Sequence, residues 1–131
     1  MPPRWLDVAF AAGVNRAVVA QTGEPHGILN GGALASALER PRQHHDYEGV
    51  VDIPMLAGLY MVAIAQAHAF QQGNKRTGFV CGLAFATLNG GVFALDDADD
   101  AFTDLLVGVI THAETLEALA AYLGARYRTA E

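Results

Sequence analysis

The chain has 131 residues, 52% of them hydrophobic and 17% charged, with a formal net charge of −6. That length and composition describe one globular domain with its own core and exclude a disordered chain. The acidic balance argues against a protein that coats nucleic acid, which needs a basic face.

In chain order, residues 5–21 predict a first helix, with Leu6, Phe10, Val14 and Ala17 or Val18 on its apolar stripe. Gly23, Pro25 and Gly27 mark residues 22–28 as a loop. Asn30 is placed to cap a short helix over residues 31–40, which Pro41 stops. Residues 42–51 are polar at first, then carry Tyr47, Val50 and Val51 spaced by acids and glycine; they predict a loop or short hairpin flap. Asp52 caps the next helix, with Pro54 in its first turn, and that helix runs to about Ala67. Another helix begins near Asn74 and stops at Asn89, Gly90 and Gly91. Residues 92–95 are the other strand candidate. Asp96, Asp97, Asp99 and Asp100 precede a helix reaching about Thr111, where their charge favours its positive start. They lack the glycine and spaced acid of a calcium loop. A final helix covers residues 113–127. The expected class is all-α, a bundle of about six helices with two apolar central helices and a short flap.

Residues 53–74 and 77–95 carry no charge, and each stretch is long enough to cross a bilayer. Both are interrupted by glycines and amides and lean on alanine, so they read as the centre of a water-soluble bundle. Residues 1–4 do not lead into a signal-peptide core, and Cys81 is the sole cysteine, which permits a reducing compartment. A cytoplasmic location is expected. Cys81 sits among Phe79, Val80, Leu83 and Ala84 and reads as core packing. His44, His45 and Asp46 read as solvated residues rather than metal ligands.

Chemistry concentrates in residues 68–79, HAFQQGNKRTGF. An apolar helix delivers His68 at its end, Phe70 can anchor the loop, and Gly73 permits a turn and a close ligand approach. Residues 74–77 then open a new helix, whose free N–H groups favour anions. Lys75 and Arg76 add two positive charges there. The result is a phosphate cradle with an imidazole beside it, and imidazole titrates where proton transfer is useful.

This segment resembles the Fic family, specifically its death-on-curing (Doc) branch, whose pattern is H-x-F-x-[D/E]-G-N-[G/K]-R. His68, Phe70, Gly73, Asn74, Lys75 and Arg76 all match. Residues 23–41, GEPHGILNGGALASALERP, also look like the amino-terminal part of Doc-like chains. The resemblance implies that His68 is the general base for a target hydroxyl, with Lys75 and Arg76 completing the catalytic set. Gly73, Asn74, Lys75, Arg76 and Thr77 would bind the nucleotide. Lys75 marks the branch that transfers the terminal phosphate of ATP rather than AMP, and Phe79 stands where AMP-transferring relatives carry a second arginine. The implied partners are a translation elongation factor as target and an antitoxin. No internal inhibitory helix of the pattern [S/T]-x-x-x-E-[G/N] is present, so restraint would come from another chain.

One position departs from the pattern. The acidic residue that holds Mg2+ in the family is Gln72 here, and an amide is a weaker ligand for this hard cation. Two alternatives to phosphate transfer therefore stand: AMP transfer onto a protein, or a non-catalytic module that binds nucleotide or a partner. A flap over residues 42–51 would dock the protein acceptor, as in Fic-like chains.

Overall fold

The structure is a computed structural model that describes residues 2–96 and 100–129. It is organised around a helix buried on nearly every side. This helix, α3 (Ile53–Ala67), starts where the Asp52 side chain accepts the Met55 N–H at 3.1 Å, with Pro54 in the first turn. Every residue from Leu56 to Ala65 is buried. α4 (Asn74–Leu88) lies against it at backbone distance. A Cβ on Gly78 would stand 2.5 Å from the Met61 carbonyl oxygen, and one on Gly82 would stand 2.9 Å from that of Ala57. These two glycines, one turn apart, are what let the two central helices touch.

The other helices cover α3 and α4 in two groups. α1 (Val8–Thr22) and α2 (Gly31–Glu48) close one side, where Ala11, Leu34, Leu38, Tyr60, Ile64 and Phe85 form a core. α5 (Ala101–Ile110) and α6 (Leu116–Ala125) close the other, with Phe102, Leu106, Leu119 and Leu123 packed on Met61 and Val62. The strands β1 (Gly91–Phe93) and β2 (Tyr127–Thr129) pair antiparallel, with Val92 opposite Arg128. Six helices and a two-stranded ribbon make the described part all-α in class. None of these helices is long and apolar enough to cross a membrane. Cys81 is buried, and desolvation pushes its thiol up to about 12.

Several boundaries differ from the sequence reading. α1 begins at Val8 because Asp7 caps it, accepting the Phe10 N–H at 2.8 Å. Its buried stripe is Ala11, Asn15, Val18 and Val19, one position round from the expected one, and Phe10 is exposed. α2 does not stop at Pro41 but runs through it to Glu48. Pro41 costs a hydrogen bond, yet its ring is buried and the helix beyond it has its own stop. At that stop Gly49, in the left-handed region at φ 70°, donates to His45 O at 3.1 Å, and the next N–H caps His44 O. The expected flap is therefore absent: residues 42–48 are helical, and only residues 49–52 connect α2 to α3. His44 pairs with Glu48 and His45 with Asp46 along this helix. At the far end, α6 stops at Ala125, and Tyr127, expected to close that helix, pairs in β2 instead. Asp97 and Asp99 lie outside the described residues; Asp100 precedes α5 without a side-chain cap bond.

Replacing Gly78 by Ala is expected to destabilise the fold by at least about 1–3 kcal/mol, because the clashing atom is backbone and cannot rotate away. Urea unfolding of G78A beside the wild type measures this. A midpoint unchanged in the variant would show that the helices can part at no cost.

Candidate functional site

The connection between α3 and α4 spans residues 68–73, and both of its ends turn through left-handed conformations. His68 ends α3 at φ 48° and Gly73 precedes α4 at φ 75°. For glycine this region is free; for histidine it is strained, by roughly 1–2 kcal/mol. The helical route is broken there, so the exposed imidazole leaves the end of a buried helix. It makes no side-chain hydrogen bond among the described residues.

Three sets of contacts hold the connection. Asn74 folds back on it: its Oδ1 accepts the Phe70 N–H at 3.0 Å and its Nδ2 donates to the Phe70 carbonyl at 2.9 Å. The α1–α2 loop runs alongside like a strand. Gln71 N donates to Gly27 O at 2.8 Å, Leu29 N donates to Ala69 O at 2.7 Å, and Ile28 and Phe70 form an antiparallel bridge. From beneath, the buried Asn15 donates to the Gln72 carbonyl at 2.8 Å and to Thr77 Oγ1 at 3.0 Å. Phe70 itself is buried, as its role of anchor requires.

The start of α4 has no side-chain cap, in contrast to α1, α2, α3 and α6. The amides of Asn74, Lys75 and Arg76 occupy the first turn, where no intrahelical acceptor exists. Thr77, expected among the nucleotide-binding residues, turns its side chain inward. Its side chain is fully buried and bonded to Asn15, and its N–H donates to Gly73 O at 2.8 Å. It supports the cradle from inside. Asn74 likewise uses its side chain on Phe70, which leaves its backbone N–H for a ligand.

Of the two cations, Lys75 is exposed and Arg76 is engaged. The Arg76 guanidinium pairs with the Glu24 carboxylate and donates to Thr22 Oγ1 at 3.2 Å. Glu24 is held below the usual carboxylate range by the Thr22 hydroxyl first, then by Arg76. Both cations border a cavity of about 440 Å³ whose other walls include Phe79, Leu95, Phe102 and Leu106. A second, more open cavity of about 730 Å³ adjoins the end of α3, lined by Ser36, Glu39, Arg40 and Gln43 of α2 with Gln66 and Ala67.

The donor set does not fit a resident Mg2+. Gln72 is exposed and neutral, the carboxylate that reaches the cradle is committed to Arg76, and no group of three His, Cys, Asp or Glu side chains among the described residues is placed to hold a metal. Glu24 and Asn15 escaped the sequence reading because their contacts to residues 72–77 cross more than fifty positions, and His26 escaped it because it reaches the site only through Asn15 and Phe70. His26 Nδ1 lies 2.8 Å from Asn15 Oδ1, and its ring tilts over Phe70. No sequence signal marked Asn15, because the stripe drawn through Leu6, Phe10 and Val14 passes it by.

A buried helix ending in an exposed histidine, a glycine turn and an uncapped helix start with two cations define a particular class of domain. The Fic/DOC family model matches residues 5–86, and the chain belongs to this family. A curated relative is similar to it over most of both lengths: the protein named "Protein kinase doc" of Escherichia phage P1, 30% identical over 105 residues, covering 80% of this chain and 81% of that protein.

The Glu24–Arg76 pair carries a pH signature. Because the folded state lowers the Glu24 pKa from 4.5, the pair's stabilisation is complete above that value and is lost as pH falls through the lowered one. Urea midpoints of wild type and Glu24→Gln are expected to differ most at neutral pH and to converge on acidification. Parallel curves down to strongly acid pH would mean that the carboxylate is not paired in solution.

Proposed function

We propose that the chain transfers the terminal phosphate of ATP to a hydroxyl of a protein. A translation elongation factor is the proposed target, and an antitoxin protein the proposed partner that restrains it. Family membership and the relative named a protein kinase support this reading. The observation that carries it is local: His68 stands exposed at one side of residues 68–73, and the open amides of α4 with Lys75 and Arg76 stand at the other. The cavity beside Lys75 and Arg76 suits an aromatic base attached to phosphates, because its remaining walls include two phenylalanines and two leucines.

The chemistry follows from these positions. His68 accepts the proton of the acceptor hydroxyl as that oxygen bonds to the terminal phosphorus. The bond from phosphorus to the bridging oxygen breaks and ADP leaves with the electron pair. Lys75, Arg76 and the first-turn amides stabilise the charge on the phosphate oxygens. Arg76 must loosen its hold on Glu24 to bind them fully. In this scheme the protein supplies positioning, cationic charge and a base, and does not itself hold a metal.

Gln72 favours a second reading, a Fic-fold module that binds nucleotide without turning it over. Labelled ATP and a candidate acceptor separate the cases. Label from the terminal phosphate on the acceptor supports the proposal, label from the alpha phosphate supports AMP transfer, and binding without transfer supports the module.

Two substitutions are expected to report on the mechanism. His68→Asn retains a residue that tolerates the left-handed backbone, and His68→Ala removes the ring altogether. Both should lose transfer by roughly 10²-fold or more while keeping the fold. Full activity in either folded variant would reject His68 as the base. Gln72→Glu should raise transfer at a given Mg2+ concentration by providing the missing carboxylate. An unchanged Mg2+ titration in an active pair would show the amide to be a sufficient substitute.

A further inference from the structure

Beneath the cradle lies a fully buried carboxamide. Asn15 has no exposed surface, and each face of its amide meets a different part of the site. Its Nδ2 contacts the Gln72 carbonyl at 2.8 Å and Thr77 Oγ1 at 3.0 Å; its Oδ1 contacts His26 Nδ1 at 2.8 Å. The orientation of the amide is fixed by chemistry. A carbonyl only accepts, so the NH2 group must face Gln72, and His26 must then present a proton on Nδ1.

The contact to Gln72 has a consequence for the next residue. In a trans peptide the C=O and the following N–H point in opposite directions. The structure contains no cis peptide bond among the described residues. With the Gln72 carbonyl drawn inward to α1, the Gly73 N–H is directed away from α1. That N–H has no acceptor among the described residues. Gly73 is also pressed on this floor: a Cβ there would stand 3.1 Å from Val19 Cγ1 and 3.4 Å from Asn15 Nδ2.

We infer that Asn15 is the positioning residue of the phosphate cradle: by holding the Gln72 carbonyl inward, it adds the Gly73 amide to the first-turn donors of α4 as an anion ligand. This deepens the proposed function and rests on its phosphate site. Asn15 does not touch the substrate. It acts through the peptide between Gln72 and Gly73.

Asn15→Asp isolates this role. The carboxylate keeps the shape and can still accept from Thr77 and His26, but it repels the Gln72 carbonyl, and the peptide should turn. Val19→Ala, on the same floor, weakens packing without addressing that carbonyl and serves as the stability control. The full-length chain is titrated with ATP and, separately, with inorganic pyrophosphate, following the Gly73 amide by NMR. In wild type and V19A this resonance should move on binding. In N15D it should start at a different position, respond little, and report at least tenfold weaker affinity. In a transfer assay the loss should appear in KM for ATP and not in KM for the acceptor. N15D with wild-type affinity overturns the inference, as does a loss matched by V19A at equal stability. If wild type responds to pyrophosphate and not to ATP while N15D responds to neither, the inference stands and the nucleotide reading fails. A wild-type Gly73 amide indifferent to both anions overturns both. Should N15D not fold, Asn15→Ser, whose shorter arm leaves the Gln72 carbonyl out of reach, is read in the same way.

Discussion

The site depends on how closely α4 approaches α3. Gly78 and Gly82 replace side-chain contact by contact with the backbone of α3, at Met61 and Ala57. Two helices that touch in this way leave little room for the chain that joins them. The chain must leave α3 abruptly, cross a short gap and enter α4 without a capping side chain in the way. The left-handed backbone at His68 and at Gly73 is the local solution to that constraint. It also separates the two chemical functions, placing the imidazole at the exit of one helix and the free amides at the entrance of the next. Strain at His68 persists because residues 69–72 are pinned from several sides, so the backbone cannot relax into a continued helix.

Charge at this site is local and partly spent. The chain as a whole is acidic, with a net charge of −6, so under the proposed function a phosphate would be drawn in by Lys75, Arg76 and oriented amides and not by a general field. Part of that charge is met within the chain, because Glu24 pairs with Arg76. The pair is only partly buried, so solvent screens it and exchange for a phosphate is open to it. Lys75 keeps its charge at the surface, without an ion pair among the described residues. Under the proposed phosphate transfer, an arriving polyphosphate would meet Lys75 and the amides first, and compete for Arg76 second.

Much of this arrangement is legible in the sequence, and the parts that are not share a physical cause. The caps Asn30 and Asp52, the stop at Asn89 and Gly90, and the motif at residues 68–76 are local signals, each complete within a few residues. Pro41 misleads because a proline's local cost was set against packing and a glycine stop at Gly49 that lie elsewhere on the helix. β2 is invisible because Tyr127–Thr129 becomes a strand only through its partner Gly91–Phe93. Asn15 shows the general problem. The packing of α1 places it on the inner face with Ala11 and Val19, but a stripe drawn through the large hydrophobic residues alone rotates past it. Its meaning comes from a carbonyl fifty-seven positions away.

The loss of the flap changes what an acceptor would meet. A hairpin offers unpaired backbone groups, onto which an extended segment can add as a strand. Here residues 42–48 are helical, so their N–H groups and the carbonyls as far as His45 are committed within α2 and its cap. The surface beside the end of α3 is instead side chains on a helix: Ser36, Glu39, Arg40 and Gln43, facing Gln66. Of these, Gln66 is already tied to the opposite side of the bundle, donating to the Ile110 carbonyl at 3.1 Å. Under the proposed phosphate transfer, an acceptor hydroxyl would be brought to His68 by side-chain recognition across this cavity. Selectivity for the protein target would then reside in the charges and hydrogen-bonding groups of α2, which can change without disturbing the α3–α4 contact that forms the catalytic connection.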